Sequence, residues 1–154
     1  MTVRENLSFA AVEKMSRMGV VDTRAEEAAI DEMVELLKIK ADGIDGPVGA
    51  LSGGNQQKVV IGKWLMTKPR IILLNDPTRG IDVGTKQEIY KLMRDLANAG
   101  KAVLFYSSDY AELIGCCDRV SVLYSGRVVA EKQGDEITEE SLVAASLNID
   151  VEAA

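Results

Sequence analysis

The chain has no histidine. That absence removes a Ser-His-Asp triad, a histidine-ligated zinc ion and a histidine general base from consideration. Cysteine is nearly absent as well: Cys116 and Cys117 stand next to each other and alone in 154 residues. Neighbouring cysteines rarely bridge one another and two do not make a metal cluster, so a reducing cytoplasm is the simplest compartment. No apolar run reaches 18 residues and no signal peptide is present, so any membrane association would come through a partner. A phosphate loop is missing too. Gly62-Lys63 and Gly100-Lys101 lack both the upstream glycine and the following hydroxyl of Gly-x-x-x-x-Gly-Lys-Ser/Thr. A net charge of −6 argues against a nucleic-acid surface. No internal repeat or low-complexity tract occurs, and with 47% hydrophobic and 27% charged residues the composition is that of a globular domain or part of one.

What is present begins with helical patterning. Residues 4–19 place Leu7, Ala10, Ala11, Val12, Met15 and Met18 at helical spacing and end at Gly19. Residues 23–38 read as a second helix, with Thr23 and Glu26 as a capping box and Ile30, Met33, Val34 and Leu37 on the apolar side. A loop rich in Gly, Asp and Pro runs from Asp42 to Gly49. Beyond Leu51 helices and strands alternate: helix 54–66, strand 70–74, helix 83–99, strand 102–106, short helix 109–115, strands 119–124 and 127–132, and a terminal helix near 138–147. This alternation predicts a parallel α/β sheet. Ile71–Leu74 and Ala102–Tyr106 are almost continuously apolar, as expected of strands covered on both faces. Ser125-Gly126 reads as a two-residue hairpin turn. The boundary falls near residue 50, giving a helical segment 1–50 and an α/β segment 51–154.

The densest signal is Leu51-Ser52-Gly53-Gly54-Asn55-Gln56-Gln57-Lys58-Val59, with Ile71-Ile72-Leu73-Leu74 starting 18 residues after Gly53. Ser52 is placed to cap the following helix through its hydroxyl. Gly53 and Gly54 let backbone N–H groups approach another molecule closely, and a helix N-terminus with free N–H groups attracts anions. Leu51, Val59, Val60 and Leu65 give that helix an apolar side. Ser-Gly-Gly alone would be an ordinary turn. The Gln-Gln-Lys-Val tail, the spacing to the strand and the segment Pro77-Thr78-Arg79-Gly80-Ile81-Asp82-Val83-Gly84 make it more.

Together these motifs resemble the ATP-binding cassette (ABC) transporter ATPases, in particular the C-terminal part of the second nucleotide-binding domain of bacterial monosaccharide importers of the ribose, galactose and xylose type. The resemblance covers essentially the whole chain. It implies a P-loop NTPase sheet that lacks its phosphate-loop strand, with residues 1–50 as the helical subdomain that docks on a membrane subunit and 51–154 as the C-terminal half of the ATPase core. It implies a chain that is cytoplasmic and peripheral at the inner face of the membrane. In such proteins ATP lies between two cassettes, so Leu51, Ser52, Gly53, Gly54 and Gln56 would face a nucleotide held by another domain or chain. Gly80, Ile81 and Asp82 would lie in the loop that crosses the interface.

Three catalytic positions depart from the pattern. Asn75 stands where the resemblance places the aspartate of the magnesium shell; an amide brings no charge to the ion. Asp76 stands in place of the glutamate that polarises the attacking water, shorter by about 1.5 Å, and a misplacement of about 1 Å can cost roughly 10²-fold in rate. Ser108 takes the place of a switch histidine, as in second domains of sugar importers. Asn75 and Asp76 are equally readable as a polar cap on a buried strand. The expectation is therefore a truncated cassette subunit, inactive alone, that needs ATP and Mg2+ only in a complete two-cassette assembly, self-associates, and donates its signature in trans. The alternatives are a non-catalytic module that binds the membrane subunit, or a gene remnant.

Overall fold

The computed structural model describes residues 1–149. The chain divides into two compact units, Met1–Leu104 and from Phe105 onward. The division expected near residue 50 falls inside the first.

The first helix is far shorter than expected. α1 spans Val3–Ser8, opened by a capping box in which Thr2 and Glu5 bond each other's backbone N–H. The chain then makes a 3-10 turn at Val12–Met15 and an antiparallel hairpin, β1 (Ser16–Arg17) with β2 (Val20–Val21). Met18 and Gly19 hold φ of 53° and 81° at its tip. A two-residue turn with both φ values positive matches the twist of a hairpin, so Gly19 closes a turn rather than a helix. Met18, counted as an apolar helical position, is 97% exposed.

α2 (Thr23–Leu37) buries Ile30, Met33 and Leu37. Its cap is Asp22 rather than Thr23: Oδ1 accepts from the N–H groups of Arg24 and Ala25, both at 3.1 Å. A carboxylate oxygen competes well for orphan N–H groups and shifts the start by one residue. The Gly/Asp/Pro loop is pinned, with Ile44 O and Gly46 O accepting from the N–H groups of Arg4 and Val3. It satisfies donors that α1 itself cannot.

α3 (Gly53–Leu65) buries Val59, Ile61, Gly62 and Leu65, whereas Val60, counted on the apolar side, is half exposed. A Cβ on Gly62 would come within 2.7 Å of Leu37 Cδ1 and 2.8 Å of Leu7 Cδ2, so Gly62 lets α3 cross α1 and α2 closely. β3 (Ile71–Asn75) pairs with β4 (Ala102–Tyr106) in a small parallel sheet. α4 (Val83–Asn98) buries Ile89, Leu92, Met93 and Leu96. The expectation of strands covered on both faces does not hold among the described residues. Ile72 is buried, but Ile71, Leu73 and Leu104 are each about two-thirds exposed.

In the second unit α5 (Tyr110–Cys116) leads into β5 (Arg119–Tyr124), which pairs antiparallel with β6 (Arg127–Gln133). Ser125 and Gly126 make the tip with φ of 47° and 77°, the hairpin read from the sequence. α6 (Glu139–Ser146) follows, and Val120, Val122, Ile137 and Leu142 form the core. Cys116 and Cys117 are not joined in a disulfide. No helix among the described residues is long and apolar enough to cross a membrane.

Candidate functional site

The signature sits at the N-terminus of α3. Ser52 and Gly53 are exposed and Leu51 half-buried. The first intrahelical bond runs from Gln56 N–H to Ser52 O at 2.9 Å, so the N–H groups of Gly53, Gly54 and Asn55 precede the ladder. Ser52 occupies the cap position but makes no capping bond from its side chain. Its Oγ instead accepts from Asn55 Nδ2 at 2.9 Å. Gln56, expected to face nucleotide, turns its Nε2 back onto Leu51 O at 2.8 Å and braces the turn from behind.

The two glycines have different reasons to be glycine. Nothing lies within 4 Å of a Cβ built on Gly53. One on Gly54 would meet Thr85 Oγ1 at 2.7 Å and Thr85 Cγ2 at 2.8 Å. Gly54 is thus also a packing contact between α3 and the first turn of α4. Thr85 cannot swing aside, because its hydroxyl donates to Asp82 Oδ2 at 2.8 Å while its N–H donates to Asp82 Oδ1 at 2.9 Å. Gly54→Ala is expected to cost about 1–3 kcal/mol through overpacking, while Gly53→Ala stays within about 0.5 kcal/mol. Urea denaturation of both variants checks this, and a neutral Gly54→Ala would refute the packing account.

Asp82 is therefore the N-cap of α4, and the two Thr85 bonds, backbone first, hold its carboxyl below the ordinary 3.8. Gly80 is exposed, with φ of 73° in the turn before it, and Ile81 is half-buried. The structure thus brings the signature turn and the end of the Gly80–Asp82 loop together through the Gly54–Thr85 contact.

Asn75 ends β3 on its exposed face. Asp76 follows with φ of 49°, and its O accepts from Arg79 N–H at 3.2 Å. Left-handed backbone is tolerated by Asp better than by a longer side chain. Pro77 and Thr78 behind it are buried. In the second unit Ser108 is exposed between two anchors. Ser107 Oγ donates to the buried Glu112 at 2.7 Å and accepts from Asp109 N–H, and Asp109 caps α5 through Ala111 N–H.

Sequence reasoning gave Lys58 no role beyond its place in the signature run. It is 4% exposed, paired with Glu88 of α4 and donating to Lys38 O at 3.2 Å. It ties the signature helix to two neighbours at once. No group of three or more Cys, Asp or Glu side chains among the described residues is placed to hold a metal ion. The donors present suit a phosphate oxygen at the head of α3, and the neutral Asn75 does not suit a cation.

A family model described as ABC transporter matches residues 1–79. The chain belongs to the ABC transporter family. It is 70% identical over 149 residues to the ribose import ATP-binding protein RbsA 1 of Mesorhizobium japonicum, covering 97% of this chain and 29% of that protein. It is 44% identical to the ribose import ATP-binding protein RbsA of Geobacillus kaustophilus, covering 95% and 30%. The chain thus spans less than a third of the length of these relatives. Among solved structures it is similar to a nucleotide-free cassette of an ABC transporter (TM-score 0.74, 26% identity, 93% of this chain and 59% of that one). A dimeric cassette in a post-hydrolysis state with ADP and Pi gives a TM-score of 0.73 at 25% identity, covering 86% and 56%.

Proposed function

We propose that the chain is the signature-bearing part of the ATP-hydrolysing subunit of a bacterial ribose-type sugar importer, and that it presents its signature to a nucleotide held on the phosphate loop of another cassette. The observation that carries this is the exposed head of α3: the hydroxyl of Ser52 and the N–H groups around the open Gly53, ahead of the first intrahelical bond. The names of its relatives supply the sugar and the nucleotide. Each such donor acts where charge collects on the γ-phosphate, so its loss falls on turnover rather than on affinity. ATP and Mg2+ belong to the two-cassette assembly. Asn75, Asp76 and Ser108 are in this reading degenerate counterparts of catalytic positions, and Gly80, Ile81 and Asp82 part of the interface. The assembly is cytoplasmic and peripheral at the inner membrane face.

The test is ATP turnover by a cassette with an intact phosphate loop, titrated with this chain. Wild type stimulates it, and Ser52→Arg and Gly53→Asp abolish the stimulation. Gly53 is the better second position because Gly54→Asp would collide with Thr85. Equal stimulation by wild type and both variants would remove signature donation. Alone, the chain is expected to bind ATP no tighter than roughly millimolar, about −4 kcal/mol, and to show no magnesium-dependent hydrolysis. Micromolar binding by calorimetry would contradict this.

A second reading is a non-catalytic module that binds the importer's membrane subunit through residues 1–50. The exposed Phe9, Met18, Val20 and Leu36 in that segment favour it. Competition with an intact ATPase for the membrane subunit, without any effect on turnover, would select it.

A further inference from the structure

Asn55 holds two partners with one carboxamide. Its Oδ1 accepts from the backbone N–H of Lys40 at 2.9 Å, and its Nδ2 donates to Ser52 Oγ at 2.9 Å. The orientation of the amide follows from chemistry. A backbone N–H can only donate, so the oxygen must face Lys40 and the NH2 must face Ser52. Ser52 Oγ is then an acceptor toward Asn55, which leaves its own proton free to donate elsewhere. The usual alternative for a cap serine, accepting from a backbone N–H of the first turn, is not taken.

We propose that Asn55 is the positioning residue of the signature: it fixes Ser52 Oγ as an inward acceptor and outward donor, aimed at an incoming phosphate oxygen. Through Lys40 it also ties that hydroxyl to the end of α2. This deepens the reading of signature donation and rests on it. A second clip on the same face supports the tie, since Lys58 donates to Lys38 O one turn further along α3. Lys38 is itself held in a left-handed C-cap, φ 49°, with its N–H on Val34 O and Glu35 O. The backbone that Asn55 and Lys58 grip is therefore fixed by α2, and a shift of α2 along α3 would carry the Ser52 proton with it.

The experiment has two arms. In the isolated chain, the Asn55 side-chain NH2 signals are followed by NMR. In wild type one NH2 proton exchanges slowly. In Ser52→Ala that protection is lost while the Lys40 amide stays protected, and in Asn55→Ala the Lys40 amide exchanges faster. Unchanged Asn55 signals in Ser52→Ala would overturn the proposal, whatever happens with nucleotide. In the second arm the partner cassette's turnover is titrated with the variants. Asn55→Ala lowers kcat by about 10-fold or more with KM for ATP unchanged. Asn55→Asp, which keeps the acceptor for Lys40 but would draw the Ser52 proton inward, lowers it further. Asn55→Gln, with the same groups, restores most of the rate. In a Ser52→Ala background Asn55→Ala costs nothing more, because a residue acting only through Ser52 has nothing left to position. Full additivity would refute the proposal. A wild type that does not stimulate would end signature donation, leaving the NMR arm to decide the role of Asn55.

Discussion

Replacing Glu88 with leucine lowers the stability of the chain by about 3 kcal/mol, whereas Lys58→Met costs about 1 kcal/mol. The asymmetry follows from exposure. The Lys58 side chain is 5% exposed and that of Glu88 is 38% exposed. Without Glu88 an ammonium remains buried, with only Lys38 O to accept from it. Without Lys58 a half-exposed carboxylate turns to water, a carbonyl loses one partner, and methionine fills most of the stem's volume. Urea denaturation measures both. Equal losses, or a larger loss in Lys58→Met, would show that the pair does not work as described.

The same pair gives a pH dependence with a definite sign. The hydrogen bond from Lys58, against desolvation, holds the Glu88 carboxyl below its ordinary 4.5, with Lys40 and Lys38 adding attraction. The folded state therefore binds this proton later than the unfolded chain. The contribution is complete above about pH 4.5 and is lost as the pH falls through the depressed folded value. Glu88→Gln flattens this part of the acid limb.

How much of this was legible in the sequence depends on the range of the forces involved. The start of α3 and the Ser125-Gly126 hairpin are set by neighbours within a few residues, and local reading found them; at α2 it placed the cap one residue late, on Thr23 instead of Asp22. The first helix failed because periodicity counts apolar residues without asking what covers them. Met15 and Met18 keep helical spacing, yet the positive φ of Met18-Gly19 turns the chain into a hairpin. The role of Lys58 was not legible because its partner lies 30 positions away on α4. Asn55 was read as part of a family pattern; its dual bonding needs the backbone of Lys40, which only the fold brings near. Gly54 was read only as an approach for a ligand; its packing against Thr85 on another helix is visible only in the fold.

At micromolar concentration the isolated chain is expected to sediment as a dimer or larger species, and Leu104→Lys to return it to monomer without loss of helical signal. β3 and β4 carry no charged residue and no proline, the devices by which open sheets avoid one another. Ile71, Leu73 and Leu104 are 66%, 71% and 67% exposed. Ala102 N–H bonds Arg70 O at 3.0 Å, setting the start of β4 beside that of β3. With only two strands in this sheet, each has an outer edge among the described residues. A second copy of the chain offers the same uncharged edge and the same apolar face, and pairing the two would satisfy backbone groups while removing apolar area from water. Leu104 is the choice for substitution because its side chain points to the open face, so a lysine there leaves the core intact. A monomeric wild type at micromolar concentration, or an assembly indifferent to Leu104→Lys, would place the association elsewhere and leave this face as an ordinary surface.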